Sequence, residues 1–304
     1  MSPLDCKDTQ TLVCPRVTPI GSCRITNPLR MADAAGLVQL NTDGVYGYTH
    51  SSAEAVQMMR HMAGDLDIPE LARPLVMPGG DAPAHGPAHD PSDLYLIELS
   101  SAKEVRMGTI LVQLNYVTRH FAEFFADTTV TRAFWRLAKG DLEAEKRAFL
   151  QEVPSFRALS FEDQARLQLI TQRPVDEATL REDIRILLDA LPRAVFVTHC
   201  NARTRDGTTL TSRAAYIALA KRALSAEGAA FADPTELMDK VGQARALKDE
   251  AGSLSHYTED FEAMLFDHWW RDLMAPALRR GTTHDTPLPA QGSPDPQQVA
   301  TWMR

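Results

Sequence analysis

The sequence lacks the features that mark membrane, secreted and nucleic-acid-binding proteins. No apolar run approaches the roughly 18 residues needed to cross a bilayer, and residues 1–11 carry charged side chains where a signal peptide has its apolar segment. The 304 residues include 32 Lys and Arg against 40 Asp and Glu, a formal net charge of −8. Such a chain is a poor general phosphate binder. We therefore expect a cytoplasmic protein with no nucleic-acid partner and no membrane span.

Cysteine is also scarce. The chain has four cysteines, none of them in a CxxC pair, so neither a disulfide scaffold nor a zinc site is indicated. Hydrophobic residues make up 44% and charged residues 24%, the usage of an ordinary globular protein with a sizeable core. The length allows one large domain or two modest ones, at about 100–200 residues per domain.

Apolar, β-branched segments alternate with helical patterns along the chain, which predicts an α/β fold. The predicted strands are 12–20, 37–40, 93–99, 194–198 and 228–232. The predicted helices are 29–35, one beginning at Ser51 with a capping box to Glu54, 116–125, 130–151, 160–172, 176–191, 211–226 and 258–278. Four helices between two strands exceed one crossover, so residues from about 115 to 192 are predicted to form a helical insertion beside the sheet.

Two segments are predicted to lack regular structure. Residues 74–92 are rich in proline and glycine, which favours a flexible loop, and residues 281–304 resemble a poorly ordered tail. The remainder, residues 1–280, is predicted to be one domain. His85 and His89 lie in the loop four residues apart, but without a helix that spacing does not favour a metal site, and we expect none.

Ligands of open α/β sheets bind beyond the carboxyl ends of the strands. Chemically useful residues follow the predicted strands at that edge: Ser22, Cys23, Gly44, Ser100, Ser101, His199, Cys200 and Asn201, with His256 later in the chain.

Residues 21–23 (Gly-Ser-Cys) offer a specific chemistry at this edge. Gly21 allows a tight bend, and a thiol at Cys23 on a helix N-terminus is expected to have a lowered pKa. Neighbouring backbone N–H groups are suited to an oxyanion. A simple turn that carries a buried cysteine explains the same three residues equally well.

Residues 19–24 (PIGSCR), followed by residues 41–46 (NTDGVY), resemble the opening of GSCFA-domain proteins, relatives of the SGNH (GDSL-like) hydrolase superfamily. They are also similar to polysaccharide-biosynthesis acetyltransferases of the WcbI type. The resemblance implies a flavodoxin-like, three-layer parallel sheet. It also implies Cys23 as nucleophile, with Ser22 as second choice, Gly44 as an oxyanion-binding amide, and His256 as base.

The sequence departs from the pattern of that superfamily at two blocks. Ser100 and Ser101 stand where Gly-x-Asn is usual, so a hydroxyl or Asn201 would replace the missing amide donor. No acid precedes His256 at the usual spacing, although a Cys–His pair needs such an acid less than a Ser–His pair. His199 is the rival base, and Arg24 is suited to hold an anionic substrate.

We therefore expect acyl transfer or ester hydrolysis on a small-molecule or saccharide substrate, such as a polysaccharide precursor, with no metal. The resemblance implies acyl-CoA as the donor. One alternative places the reactive group at His199 or Cys200. Another is a catalytically silent domain of the same fold that binds a sugar or a partner protein. Nothing in the sequence indicates an oligomeric state.

Overall fold

Parallel strands form the centre of the computed structural model, which describes residues 14–77, 89–140, 142–204, 206–248 and 254–280. In chain order the strands are β1 (Arg16–Ile20), β2 (Gln39–Leu40), β3 (Leu94–Leu99), β4 (Lys103–Met107), β5 (Ile110–Leu111), β6 (Ile170–Pro174), β7 (Ala194–Thr198) and β8 (Phe231–Ala232). Five of them pair in parallel in the order β2-β1-β3-β7-β8. This is the flavodoxin-like order, which confirms the predicted fold class.

Helices cover both faces of this sheet. They are α1 (Cys23–Ala34), α2 (Ser52–Met62), α3 (Arg73–Val76), α4 (Leu114–His120), α5 (Ala122–Phe125), α6 (Thr128–Leu137), α7 (Glu143–Glu152), α8 (Pro154–Arg157), α9 (Phe161–Leu169), α10 (Glu177–Ala190), α11 (Thr211–Ala226), α12 (Pro234–Val241), α13 (Gln243–Ala246), α14 (Glu259–Trp269) and α15 (Ala275–Arg280). A π-helical turn, Trp270–Met274, joins the last two. None of these described helices combines the length and apolar character needed to cross a bilayer.

Alternate residues of the central strands enter two separate cores. Leu96 of β3 packs in the core that contains α1 and α14, whereas Ile97 packs in the core that contains α2, α10 and α11. Every residue of β3 and β7 is buried, as a parallel sheet covered on both faces requires. The result is the predicted three-layer arrangement, in which β1, β3 and β7 end at one edge.

Helix α1 begins six residues before the predicted start at position 29. Ser22 is its N-cap, and the Ser22 hydroxyl accepts a hydrogen bond from the Arg24 N–H. Pro28 therefore lies inside the helix and not at its first position. The prediction was wrong because it took Asn27-Pro28 as a helix start, whereas Ser22 supplies a cap of its own. The correction places Cys23 at the first helical position.

The predicted capping box of α2 is confirmed. The Ser51 hydroxyl accepts from the Glu54 N–H, and the Glu54 carboxylate accepts from the Ser51 N–H. This pair of bonds satisfies backbone donors that the first turn of a helix otherwise leaves unpaired. The box fixes the chain where it returns to the carboxyl edge of the sheet.

The segment between β3 and β7 contains a second sheet that the sequence did not predict. Strands β5, β4 and β6 pair in antiparallel order, and Met107 of β4 opposes Ile170 of β6. Residues 170–172, predicted as the end of a helix, belong to β6 because pairing with β4 satisfies their backbone groups. Helices α4 to α9 pack a separate apolar core around Phe121, Phe134 and Phe156.

The predicted loop 74–92 is partly corrected. Residues 74–76 belong to α3, while residues 78–88, including His85, lie outside the described residues. The predicted tail 281–304 also lies outside them. The division into one domain of residues 1–280 with an insertion stays a prediction.

Candidate functional site

The turn after β1 is built around a close approach of Gly21 to β3. A Cβ atom at Gly21 would lie 2.6 Å from Glu98 Cβ and 2.7 Å from Ile25 Cδ1, distances that no relaxed packing allows. The Gly21 carbonyl accepts a hydrogen bond of 3.2 Å from the Thr49 N–H. Glycine is therefore required here for space between the turn, β3 and the start of α1.

Glu98 holds this turn in place. Its carboxylate is buried and accepts from the Ser22 N–H at 2.7 Å and from Arg24 Nε at 2.6 Å. Arg24 Nη2 lies 2.6 Å from the same carboxylate. Burial favours the protonated acid, but the charge of Arg24 and the hydrogen bonds from Ser22 outweigh it, so the pKa of Glu98 lies below its ordinary value. The side chain is a buried carboxylate paired with a buried guanidinium.

Arg24 also reaches His199, which follows β7. Arg24 Nη1 lies 3.1 Å from His199 Nε2. Because a guanidinium only donates, His199 Nε2 is the acceptor and its hydrogen resides on Nδ1. Burial, reinforced by the charges of Arg24 and Arg213, lowers the pKa of His199 well below its ordinary value. The imidazole is therefore neutral at neutral pH.

Cys23 is half-buried at the first position of α1. Burial raises the pKa of its thiol, Arg24 opposes that rise, and Glu98 and Glu262 reinforce it. Desolvation and the two carboxylates outweigh the lowering of the pKa that we expect from the helix N-terminus and Arg24. Cys23 is thus a thiol at neutral pH, and nucleophilic attack requires a base to remove its proton.

Ser22, the second choice as nucleophile, is only 3% exposed. Its hydroxyl caps α1 by accepting a hydrogen bond from the Arg24 N–H. Since this hydroxyl is buried and serves as the cap, the half-buried Cys23 is the more available of the two nucleophiles.

His256 is exposed on the loop that precedes α14. Its carbonyl accepts from the Lys248 N–H at 3.0 Å, and the next residue, Tyr257, is buried with its hydroxyl hydrogen-bonded to Cys200. Helix α14 packs against α1, where Asn27 donates to Glu262 at 3.1 Å. The His256 loop thus runs beside Cys200, at the carboxyl edge of β7.

A cavity of about 450 Å³ lies beside the turn. Four predicted site residues line it, namely Arg24, Ser100, Ser101 and His199, together with His50, Glu54, Lys103, Arg213 and Tyr216. The Ser100 and Ser101 N–H groups both donate to the His50 carbonyl, at 2.8 and 2.9 Å. Cys23 is not a lining residue of this cavity, but its neighbour Arg24 is.

Gly44 and Asn201 lie outside this group. Gly44 packs against Met62, the last residue of α2, and its neighbour Asp43 pairs with Arg16 at the beginning of β1, so Gly44 lies toward the opposite end of the sheet from the Cys23 turn. Asn201 follows β7, but its N–H donates to Thr235 of α12 and it does not line the cavity. The residue that the structure brings to the turn in place of Gly44 is Thr49, through its bond to Gly21.

Cys200, the rival reactive group, is fully buried. Burial raises the pKa of its thiol, although a hydrogen bond from Tyr257 opposes the rise. A buried protonated thiol is unreactive, which favours a structural role for Cys200.

In the part of the chain that the structure describes, no group of three or more His, Cys, Asp or Glu side chains could hold a metal ion. His89 lies with Nδ1 2.7 Å from the Asp43 carbonyl and Nε2 3.0 Å from the Tyr95 hydroxyl.

Sequence reasoning did not include Glu98, Arg213 or Tyr216 in the site. Glu98 carried a usable signal, because a carboxylate inside an apolar strand needs a partner when it is buried. Arg213 and Tyr216 gave no comparable signal, since both fit an ordinary amphipathic helix.

Comparison with known proteins gives one family. The model of the TviD N-terminal domain family matches residues 15–272. The Vi polysaccharide biosynthesis protein TviD of Salmonella typhi is 36% identical over 247 residues, which cover 81% of this chain and 30% of TviD. The chain therefore corresponds to under a third of the length of that relative.

Two solved structures are similar in overall shape. A family 3 carbohydrate esterase of Clostridium thermocellum has a TM-score of 0.40 at 9% identity, over 88% of this chain and 98% of the esterase. A variant of an acetyl xylan esterase from Geobacillus stearothermophilus has a TM-score of 0.37 at 10% identity, over 85% and 94% of the two chains. At these low TM-scores the esterases support no conclusion about the chemistry of the chain.

Proposed function

The chain belongs to the TviD N-terminal domain family, and we propose that it catalyses acyl transfer or ester hydrolysis on a saccharide used in polysaccharide biosynthesis. The name of the Salmonella relative supports the saccharide. The proposed nucleophile is the Cys23 thiol, and the proposed general base is His256.

The observation that carries this proposal is the construction of the Cys23 turn. Gly21 packs against β3 where no side chain fits, and the buried Glu98 carboxylate binds both Ser22 and Arg24 on either side of the cysteine. An ordinary strand-to-helix turn does not need a buried ion pair, which is costly to desolvate. Such a structure fixes the position of the Cys23 backbone, as a nucleophile requires.

The proposed reaction has two steps. His256 takes the Cys23 proton, and the sulfur attacks the carbonyl carbon of the donor, forming a thioester as the bond to the leaving group breaks. The leaving group departs with the proton that His256 holds. A saccharide hydroxyl, or water in hydrolysis, then attacks the thioester carbonyl while His256 accepts its proton, and the Cys23 sulfur is released and reprotonated. Backbone N–H groups at the start of α1 are the proposed ligands of the transient oxyanion.

We further propose an acyl-CoA as the donor, which makes the reaction cytoplasmic. A thioester donor suits a cysteine nucleophile, because transfer between two sulfur atoms exchanges bonds of nearly equal energy. The saccharide hydroxyl then receives the acyl group in the second step.

A second candidate function is a catalytically silent domain that binds a saccharide. The raised pKa of Cys23 and its absence from the cavity lining favour this candidate. The two candidates differ in one property, the covalent reactivity of Cys23.

The test is peptide mapping by mass spectrometry after a short incubation with acetyl-CoA. The enzyme hypothesis predicts an acetyl adduct on Cys23 in preference to Cys14, although Cys14 is exposed and Cys23 is only half-exposed. Cys14→Ala is the matched control and keeps the adduct, whereas Cys23→Ala loses it with little change in melting temperature. Equal labelling of both cysteines, or of neither, contradicts the enzyme hypothesis and supports the binding domain.

A further inference from the structure

The cavity beside the Cys23 turn is lined by unpartnered groups that can donate hydrogen bonds. Two of its lining side chains are buried and have polar atoms without a hydrogen-bond partner in the described part of the chain, His199 Nδ1 and Tyr216 Oη. Both residues are at least 95% buried. Because Arg24 donates to His199 Nε2, the unpartnered His199 Nδ1 carries a hydrogen. Burial raises the pKa of Tyr216 and keeps its hydroxyl protonated. Both free groups can therefore donate a hydrogen bond, although the Tyr216 hydroxyl can also accept one.

The charged side chains of the cavity also favour an anionic ligand. Arg213 donates from Nη1 to the carbonyls of Leu254 and Cys200, at 3.0 and 3.4 Å, and has no carboxylate partner in the described chain. Burial and the charge of Arg24 lower the pKa of Arg213, so the two guanidinium groups repel each other across the site. Lys103 adds a further positive charge to the lining, whereas the charge of Arg24 is balanced by Glu98. An anion between these groups would relieve the repulsion.

The N-terminus of α11 contributes donors to the same place. Ser212 and Arg213, in the first turn of this 16-residue helix, line the cavity, and no side chain of the described residues caps the helix. The N–H groups of a first helical turn lack intrahelical acceptors and attract anions.

The one carboxylate in the lining is already occupied. Glu54 Oε2 accepts from the His50 N–H, the Ser51 N–H and the Ser51 hydroxyl. Burial raises the pKa of Glu54 to about 7 despite these bonds, which weakens its negative charge at neutral pH. Burial likewise lowers the pKa of His50, which is neutral there. His50 therefore adds no charge to the lining, while Asp183, Glu98 and Glu104 lie near enough to Tyr216 to raise, with Glu54, the pKa of its hydroxyl.

We propose that this cavity binds an oxyanion, a phosphate or carboxylate group, carried by a substrate of the reaction at Cys23. The ligands are the Arg213 guanidinium, the Tyr216 hydroxyl, His199 Nδ1–H and the uncapped N–H groups of α11. This proposal extends the proposed function, because Arg24 joins the cavity to the residue beside the nucleophile. Either the phosphate groups of a coenzyme A donor or the carboxylate of an acidic sugar acceptor supplies the oxyanion.

The test is isothermal titration calorimetry with Cys23→Ala protein, which binds without turnover. The probes are coenzyme A, a glucuronic acid oligosaccharide and the corresponding neutral glucose oligosaccharide. At least one anionic probe is expected to bind tenfold or more tightly than the neutral sugar. Arg213→Gln should weaken that binding at least tenfold, because charged hydrogen bonds are lost. Arg222→Gln is the matched control, since Arg222 lies on the same helix, is exposed and should not change the affinity.

Tyr216→Phe separates a ligand-binding role from a structural one. The Tyr216 hydroxyl has no partner among the described residues, so its removal should leave the melting temperature unchanged or higher. The affinity for the anionic probe should fall about fivefold, the effect of one hydrogen bond. A loss of stability with unchanged affinity overturns the proposed role of Tyr216 as a ligand.

The outcomes assign the ligand or reject the cavity as an anion site. A loss of coenzyme A binding in Arg213→Gln identifies phosphate, and a loss of glucuronate binding identifies carboxylate. Equal binding of the neutral sugar, no effect of Arg213→Gln, or no binding of either anion overturns the proposal. Acetyl labelling of Cys23 is measured separately on the wild-type protein. If Cys23 is labelled and neither anion binds, the proposed anion site is wrong and the proposed reaction at Cys23 stands.

Discussion

The buried pair of Glu98 and Arg24 makes the sharpest prediction about stability. The side chains of Glu98 and Arg24 are 1% and 10% exposed, and Glu98→Gln leaves the guanidinium without a counter-charge. Breaking a buried pair from one side costs about 3–5 kcal/mol. We expect the free energy of unfolding of Glu98→Gln to fall by that amount in urea titrations at pH 7. The double variant Glu98→Gln/Arg24→Met should lose less than the sum of the two single variants.

The pH dependence of this effect has a definite sign. The pKa of Glu98 lies below its ordinary value of 4.5 in the folded protein, so the pair stabilises the fold above that pH and loses its contribution as the pH falls below it. The urea midpoint of the wild-type protein should therefore fall on acidification below about pH 4.5, and that of Glu98→Gln should fall less. Strict additivity of the single variants, or identical acid profiles, would refute the interaction.

Glu104→Gln is the matched control for Glu98→Gln. Glu104 is also buried on a strand and pairs with an arginine, Arg106 at 2.7 Å, but it lies on β4, away from the Cys23 turn. Both variants should be destabilised. Only Glu98→Gln should speed the alkylation of Cys23 at neutral pH, because the charge of Glu98 raises the pKa of that thiol.

Two other substitutions test the neighbourhood of the turn. In Gly21→Ala the new Cβ would lie 2.6 Å from Glu98 Cβ. Such overpacking should lower the free energy of unfolding, measured in urea titrations, by about 1–3 kcal/mol. Unchanged stability would contradict the close approach of Gly21 to β3. The folded-state pKa of Glu54 is about 7, above the ordinary 4.5, so ionisation of Glu54 opposes folding as the pH rises from 4.5 through 7. Glu54→Gln should therefore be more stable than the wild type at pH 8, and the difference in stability should be smaller at pH 4. Equal thermal denaturation profiles of Glu54→Gln and the wild type from pH 4 to 8 would contradict the burial of that charge.

The sheet was predictable from sequence because its strands are apolar and short. β3 and β7 stand out as continuous buried runs, and the order of elements led to the observed parallel sheet. The small second sheet was not predictable. β4 (Lys103–Met107) mixes charged and apolar residues, its neighbour β5 has only two residues, and its other partner β6 lies more than sixty residues later, so β6 is defined only by a contact distant in sequence.

The sequence predicted a site residue correctly only where a chemically useful side chain follows a strand of the sheet. Cys23, Arg24, Ser100 and His199 were expected at the carboxyl edge because each follows a strand, and the structure places them there. The ionisation of Cys23 was not predictable, because it depends on Glu262 of a distant helix and on the degree of burial. Gly44 was expected at the same edge, but β2 has only two residues and pairs with the beginning of β1, so the chain after it starts near the opposite edge.

The most direct test of the central claim is a rapid-quench experiment with acetyl-CoA and a saccharide acceptor, followed by peptide mapping. We expect an acetyl group to form on Cys23 within one turnover and to disappear when the acceptor is added. The rate of its disappearance should equal the rate at which product accumulates. His256→Gln should slow both its formation and its decay. Product formation without any acetyl group on Cys23, or an acetyl group on Ser22 in its place, would contradict the account.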